Sequence, residues 1–461
     1  MANFFKANPK KSVILSQVLT LNINKLDVNG CGIGQYKQKS IFVNGTLPNE
    51  NVDVRLIEQK NKYDRARLVK VNKSSEYRVN PKCQHFHLCG GCDIQHISYQ
   101  AQLAFKQRKV IELLSRHHIS VEITDSLAWE SPLIGDPWHY RRKARIGVQF
   151  DKKDHVTIGF RQKYTNQLVA IKSCSVLMEP ANNIFLPLKK IINQLNIKKS
   201  IGHIEVICAD VESDSCAEKN QVILVIRQLK TLSKHDEAVW HKAAAQYQWQ
   251  LIFDEGRDQK CSDSDTVPCE SSFSYPLIDK VAINFSSSDF IQVNAQVNIA
   301  MVAQAISWLK PDTNDYVLDL FCGLGNFSLP IAKKVRGVIG VEGVQAMVDK
   351  ASMNAKANNI DNCQFYQADL NSDWLLETWA KEQVFDKVLL DPARAGAEQA
   401  VSQMAKLKIP SVLYVSCDPA TLARDSAILV SQGYKLDKIS LMDMFTQTKH
   451  VETMVLFTHT I

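Results

Sequence analysis

Hydrophobic and polar residues alternate in short runs through residues 12–72 of the 461-residue chain. The runs VILSQVLTL, SIFVNGTL, VDVRLIEQ and ARLVKV are separated by clusters of Asn, Gly, Pro and Lys. A period of two is typical of strands that bury one face, and this pattern predicts a small β-barrel. The run Gly30–Gly34 resembles a dinucleotide loop, but because no helical pattern follows it we expect a tight bend or barrel corner.

The pattern changes twice after residue 72. A cysteine-bearing loop over 73–92 precedes SYQAQLAFKQRKVIELLSRHH, whose apolar residues recur every three or four positions and predict a helix. From about 126 to 253, strands alternate with a helix near PLKKIINQLNI. The polar, aperiodic EGRDQKCSDSDTVPCESS then predicts a boundary and resembles a local insertion. We therefore predict a central domain over 73–270.

From about residue 280, strand and helix patterns alternate regularly. The predicted strands are YVLDLF, GVIGVE, CQFYQA, KVLLD and VLYVS, with VQAMVDKASMNAKANN among the helices between them. A closing β section runs from KLDKISLMDMF to ETMVLFTH. Such alternation is typical of a doubly wound α/β domain with a parallel sheet, which we place at 280–461.

Composition and charge narrow the class of protein. Residues 1–175 carry 28 Lys and Arg against 14 Asp and Glu, whereas the remainder carries 27 against 34. A basic first third favours binding to a polyanion such as nucleic acid. No window approaches eighteen uncharged apolar residues, and MANFFKANPKK contains no apolar signal region. We expect a cytoplasmic protein whose twelve cysteines serve metal binding or catalysis.

Acidic residues follow three successive strands of the predicted sheet. Asp319 lies at the end of the first strand, before Gly323 and Gly325, which would let the backbone approach a ligand. Glu342 ends the second strand, where a carboxylate can bind both ribose hydroxyls of an adenosine. Asp369 ends the third, where it could accept from an adenine amino group. Each acid could instead cap a helix, but together they favour S-adenosylmethionine.

Two further strands end in residues suited to attack on a base. Asp391 follows the fourth strand in LLDPARAG, and Cys417 follows the fifth in VSCDPATLARD. Carbon 5 of a pyrimidine becomes nucleophilic only after a thiolate adds at carbon 6, and the carbon-5 proton must later be removed by a base. Cys417 suits the first role and Glu452, in HVET, the second. The alternatives are a buried apolar thiol and a solvated edge acid.

Three cysteines within ten residues indicate a metal centre. Cys83, Cys89 and Cys92 surround two glycines in CGGC, and Cys174 is the preferred fourth ligand over Cys208 and Cys216. Such a set could hold zinc or a [4Fe–4S] cluster, and a lone distant fourth cysteine favours the cluster. In PWHYRRKARIG, four of residues 141–145 are basic and follow aromatic residues. This mixture favours phosphate contacts and stacking on unpaired nucleotides, rather than a solvated strand face.

The motifs DLFCGLGNFSLPIA, LLDPARAG, VSCDPATLARD and HVE resemble signatures of the RNA uracil-C5-methyltransferase family. The resemblance covers nearly the whole chain. Residues 12–72 are similar to a TRAM domain, an OB-like RNA-binding barrel, and the CGGC loop resembles the family's cluster loop. The arrangement most resembles the members that make 5-methyluridine in 23S rRNA, of the uridine-1939 type. Members of the tRNA uracil-54 type are expected to lack the barrel and the cluster cysteines.

The resemblance implies an α/β protein in three parts: the barrel, a central α+β domain carrying a [4Fe–4S] cluster, and a Rossmann-like class I methyltransferase domain. It implies 23S ribosomal RNA as partner, with neither a membrane nor an obligatory protein partner. It also implies that Phe290 stacks on the target base. The implied site residues are Cys417 as nucleophile, Glu452 as base, Gln292, Phe321, Asn326, Glu342, Asp369 and Asp391 around the cofactor, and Cys83, Cys89, Cys92 and Cys174 around the cluster.

Two alternatives remain open from sequence. The target could be cytosine or a uracil in tRNA, although cytosine-C5 enzymes on RNA carry a Pro-Cys where this chain has DPAR. The chain could also be a non-catalytic RNA-binding or ribosome-assembly factor. A covalent RNA adduct would distinguish the enzyme from the binding protein.

Overall fold

The computed structural model describes residues 18–120, 128–211, 219–256 and 273–459. Cys216, Cys261 and Cys269 therefore lie outside the described residues. The chain divides into two compact units. The first extends to Lys82 and includes Cys92–Lys109 and Gln447–Lys449, and the second contains Cys83–Gly91, Val110–Thr446 and the chain from His450.

A closed five-stranded barrel lies in the first unit, as predicted. Its strand order is β1-β2-β3-β5-β4. Leu19, Leu21 and Ile23 alternate with exposed residues along β1 and fill the interior with side chains from the other strands. The strands are β1 (Val18–Leu26), β2 (Cys31–Tyr36), β3 (Lys39–Asn44), β4 (Asn51–Gln59) and β5 (Tyr63–Lys73).

The glycine-rich run forms strand β2 rather than only a bend. Gly30 has a φ of 79° at the preceding turn. Gly32 lies so close to β1 that a Cβ there would be 2.9 Å from Ile23 Cγ2. The glycines thus serve close strand packing, which explains why the run lacks the hydrophobic signal of a strand.

A central sheet lies in the second unit, in the order β12-β11-β10-β7-β8-β9, with the hairpin β13–β14 paired to β10. Residues 282–285, which the sequence pattern assigns to the third domain, therefore extend this sheet. The three-part division of the chain remains a prediction. The strands are β7 (Lys143–Phe150), β8 (Val156–Arg161), β9 (Leu168–Ala170), β10 (Ile201–Val211), β11 (Lys219–Gln228), β12 (Trp249–Asp254), β13 (Phe273–Pro276) and β14 (Ala282–Phe285).

An eight-stranded sheet in the order β17-β16-β15-β18-β19-β21-β20-β6 forms the rest of the second unit. All five predicted strands are present and parallel. The closing section makes the sheet mixed, since β21 is antiparallel to both β19 and β20. The strands are β6 (Ala128–Trp129), β15 (Tyr316–Leu320), β16 (Gly337–Glu342), β17 (Cys363–Gln367), β18 (Lys387–Leu390), β19 (Ser411–Ser416), β20 (Tyr434–Met442) and β21 (Glu452–His459).

Helices cover the strands in the expected places. Asp418 caps the helix after β19 by accepting from the backbone N–H groups of Ala420 and Thr421, and Pro419 occupies its first turn. The helices are α1 (Tyr99–Ser115), α2 (Glu179–Asn182), α3 (Phe185–Gln194), α4 (Lys234–Tyr247), α5 (Ala295–Leu309), α6 (Ser328–Ala332), α7 (Gln345–Ala357), α8 (Thr378–Lys381), α9 (Glu398–Met404) and α10 (Pro419–Ser431).

One hydrophobic core joins the two sheets of the second unit. Ile207 and Ile223 from the central sheet pack in the same buried cluster as Val317, Leu389 and Leu413 from the mixed sheet. The mixed sheet therefore rests on a continuous apolar base, which holds its strand ends in place. Among the described residues, no helix has the length and apolar content needed to cross a membrane.

Candidate active site at the carboxyl edge of the mixed sheet

The loop between β15 and α6 has the backbone of a ligand cradle. Phe321 has a φ of 64°, an uncommon conformation for a non-glycine residue. Gly323 has a φ of 54°, and a Cβ there would have no atom within 4 Å. The space in front of the loop is therefore open to a ligand. Helix α6 is only five residues long, so the loop backbone, rather than a helix terminus, forms the cradle.

The carboxylate of Glu342 faces this loop from the end of the neighbouring strand. Its Oε2 accepts the Gly323 N–H at 3.2 Å, and its Oε1 accepts the Gly343 N–H at 2.8 Å. Asp369 is exposed two residues beyond β17, and its Oδ1 accepts the Asn371 N–H at 2.9 Å. Both acids lie at the carboxyl edge of the sheet, and the Asp369 contact is a local turn.

Asp319 is completely buried within β15 beneath the loop. Its Oδ2 accepts the hydroxyl of Ser328, whereas its Oδ1 has no hydrogen-bond partner among the described residues. Burial raises the pKa of Asp319 to about 7. Asp319 therefore contacts Ser328, the first residue of α6, through its side-chain hydroxyl. Burial and the nearby Asp319 carboxyl also raise the pKa of Asp391, at the end of β18, to about 7.

Cys417 and Glu452 lie at the same end of the paired strands β19 and β21. The antiparallel register of β19 and β21 pairs Ser416 with Thr453. Cys417 and Glu452 are the next residues beyond this last pair, and the charge of Glu452 acts on the Cys417 thiol, so the two side chains lie close together. Glu452 is only 5% exposed and Cys417 is half-buried. The solvated-edge interpretation of Glu452 is therefore wrong.

The surroundings of Cys417 favour its protonated thiol. Burial, followed by the charges of Glu452 and Asp391, raises its pKa to about 11. The guanidinium of Arg394 acts in the opposite direction. The two carboxylates thus lie close enough to act on the thiol, and one can receive its proton. Sequence reasoning missed Arg394, although it belongs to the DPAR motif beside Asp391.

Helix α10 holds the loop that carries Asp391 and Arg394. Asp425 is completely buried, and its Oδ2 accepts the Ala397 N–H and the Tyr414 hydroxyl, both at 2.7 Å. Arg424 donates to the Ala395 carbonyl at 3.0 Å. Both residues lie in the ARD that ends the VSCDPATLARD motif, so the motif connects Cys417 to the loop that carries Asp391 and Arg394. The sequence contains these residues, but only the fold reveals their partners.

The remaining predicted cofactor residues have structural surroundings of different kinds. Asn326 exchanges side-chain hydrogen bonds with Asn298 at 3.0 and 3.1 Å and accepts from the Tyr275 hydroxyl at 3.2 Å. Its amide is therefore engaged with α5 and β13. Gln292 is half-buried in the loop before α5, and Phe290 in the same loop is 72% exposed. The half-buried Gln292 could line a cofactor and the exposed Phe290 could stack on a base, and both roles stay predictions.

The basic stretch 141–145 is largely used inside the protein. Arg142 has a side chain only 4% exposed, with Asp210 at 3.6 Å and the Tyr275 ring centroid at 5.5 Å. Lys143 donates to the Ser287 and Asp289 carbonyls, both at 2.9 Å. Arg145 pairs with Glu205 at 2.6 Å. The predicted use of this stretch for phosphate contacts is wrong for Arg142, because buried cations must be paired internally.

Three of the predicted cluster cysteines lie near one another in the second unit. Cys89 is buried, and Cys83 and Cys174 are half-buried. Burial raises the pKa of Cys174, and the neighbouring Cys83 and Cys89 add to the effect. Burial likewise raises the pKa of Cys89, with a further contribution from Cys83. Thiols that disfavour one another's ionisation gain from a cation that binds them as thiolates.

Cys92 belongs to the first unit and is buried there. The backbone N–H groups of Asp93 and Ile94, which follow it, donate to the Gln447 carbonyl at 3.0 and 3.2 Å. Within the described ranges, no three His, Cys, Asp or Glu side chains converge as a metal site. The donor types fit an iron–sulfur cluster, but their arrangement leaves that cluster a prediction.

Comparison with known proteins agrees with the motifs. A sequence model described as tRNA (uracil-5-)-methyltransferase matches residues 98–460, and a TRAM domain model matches residues 15–69. The "23S rRNA (uracil(1939)-C(5))-methyltransferase RlmD" of Colwellia psychrerythraea strain 34H is 59% identical over 471 residues and covers 100% of both chains. The protein of the same name from Shewanella sp. strain W3-18-1 is 44% identical over 466 residues and covers 99% of both.

A solved structure shows the same fold. The Pyrococcus abyssi tRNA (uracil-54, C5)-methyltransferase, in complex with S-adenosyl-L-homocysteine, has a TM-score of 0.71 and 24% identity over 95% of this chain and 100% of its own. The barrel occupies more than a tenth of the present chain, so the structural match extends into it. The expectation that tRNA uracil-54 enzymes lack the barrel stays a prediction, because a likeness at 24% identity shows the shared fold alone. On the match over residues 98–460 and the full-length relatives, the chain belongs to the tRNA (uracil-5-)-methyltransferase family.

Proposed function

We propose that this chain methylates carbon 5 of a uridine in 23S ribosomal RNA, of the uridine-1939 type named for its curated relatives. The observation that carries the chemical part is that the charge of Glu452 acts on the Cys417 thiol, at the end of the ladder between β19 and β21. The ribosomal substrate follows from the relatives' names, and the TRAM match supports RNA binding. Cytoplasmic action follows from that substrate.

The two residues divide the reaction between them. The Cys417 thiolate adds to carbon 6 of the uracil, which makes carbon 5 nucleophilic. S-adenosylmethionine, when bound, supplies an electrophilic methyl group at carbon 5. Glu452 then removes the carbon-5 proton, the double bond re-forms, and the carbon–sulfur bond breaks to release Cys417. Arg394 favours the attacking thiolate.

The cofactor would lie along the strand ends at the carboxyl edge of the mixed sheet. The open backbone at Phe321 and Gly323 would accommodate it. Glu342 would bind its ribose, Asp369 would accept from its adenine, and Gln292 and Asp391 would line the methionine end. Asn326 acts indirectly, by fixing the loop through Asn298 and Tyr275.

Cys83, Cys89, Cys92 and Cys174 would hold a [4Fe–4S] cluster, as the family resemblance implies. The proximity of Cys83, Cys89 and Cys174 supports this assignment. A bound cluster would supply thiolate–iron bonds that close the loop around CGGC. No catalytic step needs it, so its role is structural.

The test uses labelled S-adenosylmethionine with protein-free 23S rRNA, tRNA and 5-fluorouracil-substituted forms of each. Fluorine cannot leave as a proton, so the methylated protein–RNA adduct should accumulate on 23S rRNA. The adduct should disappear in Cys417→Ala and persist in Cys363→Ala, a matched control on β17. Adduct formation with tRNA alone would reject the ribosomal substrate. No incorporation into any RNA would favour a non-catalytic binding protein.

A further inference from the structure

The basic stretch that sequence analysis assigned to phosphate binding has another use, in the loop that precedes α5. Lys143, on β7, donates from Nζ to the carbonyls of Ser287 and Asp289. Arg142, beside it, donates its backbone N–H to the Val293 carbonyl at 2.9 Å. The central sheet therefore holds the loop at both ends.

Helix α7 holds the same loop from another direction. Lys350 Nζ lies 2.6 and 2.8 Å from the two carboxylate oxygens of Asp289 and 2.7 Å from the Ser286 hydroxyl. Asp289 in turn accepts the Ser286 N–H at 2.7 Å and its hydroxyl at 2.9 Å. The Asp289 side chain is only 5% exposed. A buried carboxylate with this many donors fixes the turn, because moving it would leave charges unpaired.

Phe290 follows directly after this fixed turn, and it is 72% exposed. Exposing a large aromatic side chain on a rigid loop has no benefit for folding, but it presents a flat surface for an unpaired base. A surface that is already in place costs little conformational entropy when the base arrives. The turn thus presents the Phe290 ring in a fixed position before the RNA binds.

We infer that Lys350, Asp289 and Lys143 are positioning residues that hold Phe290 in place to stack on an unpaired base of the RNA substrate. The inference rests on the proposed function. These residues act through Phe290 and do not touch the reacting atoms. Their removal leaves the site intact but lets the stacking surface move.

A double-mutant cycle tests the inference, with kcat/KM for methylation of a 23S rRNA fragment as readout. Lys350→Met should lower kcat/KM roughly tenfold or more in the wild-type background, because small displacements of a positioning group are costly. In a Phe290→Ala background the same change should cost less than about twofold, since its target is already gone. Lys350→Arg, which keeps the cation, should restore most of the activity.

Lys356→Met is the matched control, because Lys356 is exposed on the same helix. It should change kcat/KM in neither background. If Lys350→Met does not fold, Ser286→Ala removes a shared hydroxyl of the turn and enters the same cycle. Equal losses in the two backgrounds, or an unaffected Phe290→Ala, would overturn the inference. Absence of wild-type turnover would instead reject the proposed function, and the cycle would then be measured in RNA affinity.

Discussion

Replacing Glu452 by Gln should make the Cys417 thiol more reactive toward iodoacetamide, even though it removes the proposed base. The pKa of Cys417 is raised to about 11 by burial and then by the charge of Glu452. At pH 8 a thiol with that pKa is ionised in roughly one molecule per thousand. Removing a neighbouring carboxylate lowers a pKa by about one unit, which raises the thiolate fraction about tenfold.

The net rise in rate is smaller than the rise in thiolate. A thiolate of lower pKa is a weaker nucleophile, so the logarithm of the alkylation rate rises by only about half as much as the logarithm of the thiolate fraction. We therefore expect alkylation of Cys417 to accelerate about threefold at pH 8. In both proteins the rate should increase with pH below the thiol pKa, with the variant's profile displaced to lower pH.

The assay is mass spectrometry of the peptide that contains Cys417, after timed alkylation between about pH 7 and 10. Cys31, whose thiol pKa is likewise raised to about 11, provides an internal reference in the same sample, and the exposed Glu377→Gln provides a charge-matched control. An unchanged or slower rate in Glu452→Gln would refute the reasoning. It would mean that Glu452 does not lie beside the thiol and that the strand register does not continue to these residues.

Three further predictions concern stability and the cysteine centre. Asp319→Asn should raise the free energy of unfolding at pH 8 by up to about 4 kcal/mol and leave it unchanged near pH 4. The reason is that the buried Asp319 carboxyl, whose pKa is raised to about 7, becomes a buried charge as pH rises through that value. Equal effects of Asp319→Asn at pH 4 and pH 8 in urea titrations would contradict this explanation. Asp425→Ala should lower the free energy of unfolding by roughly 3 kcal/mol, since the Tyr414 hydroxyl and the Ala397 N–H lose their acceptor; a loss below about 1 kcal/mol would mean that Asp425 does not hold the loop after β18. Cys174→Ser should abolish the visible absorption of protein purified without oxygen, whereas Cys208→Ser should keep it; a colourless wild-type protein that contains no iron would reject the cluster.

The sequence predicts the strands of the mixed sheet well because each is an apolar run bounded by polar residues. It misses β2 of the barrel, since glycines that permit close packing carry no hydrophobic signal. It also predicts a parallel sheet where β21 runs antiparallel, because a strand's direction depends on its partner. Local pattern thus identifies elements, whereas pairing is decided by distant parts of the chain.

The candidate site shows the same division. Residues that follow strands, such as Cys417, Glu342 and Asp391, can be predicted because carboxyl ends of parallel strands share one edge. Lys143 could not be assigned, because a lysine in a basic stretch looks the same whether it meets RNA or a carbonyl of its own chain. The partner lies about 145 residues away along the sequence, and no local pattern encodes it.

The backbone ladder between β19 and β21 has a consequence for how this protein can evolve. Cys417 and Glu452 come directly after the last ladder pair, Ser416–Thr453, so the main-chain pairing of the two strands fixes where both residues reach the edge of the sheet. Substitutions nearby leave the residue pairing of the two strands unchanged, so the surrounding side chains can vary. An insertion or deletion of one residue just before Thr453 would turn Glu452 to the opposite face of the sheet while sparing the apolar core. Between homologous proteins this stretch should therefore show amino-acid substitutions but no insertions or deletions.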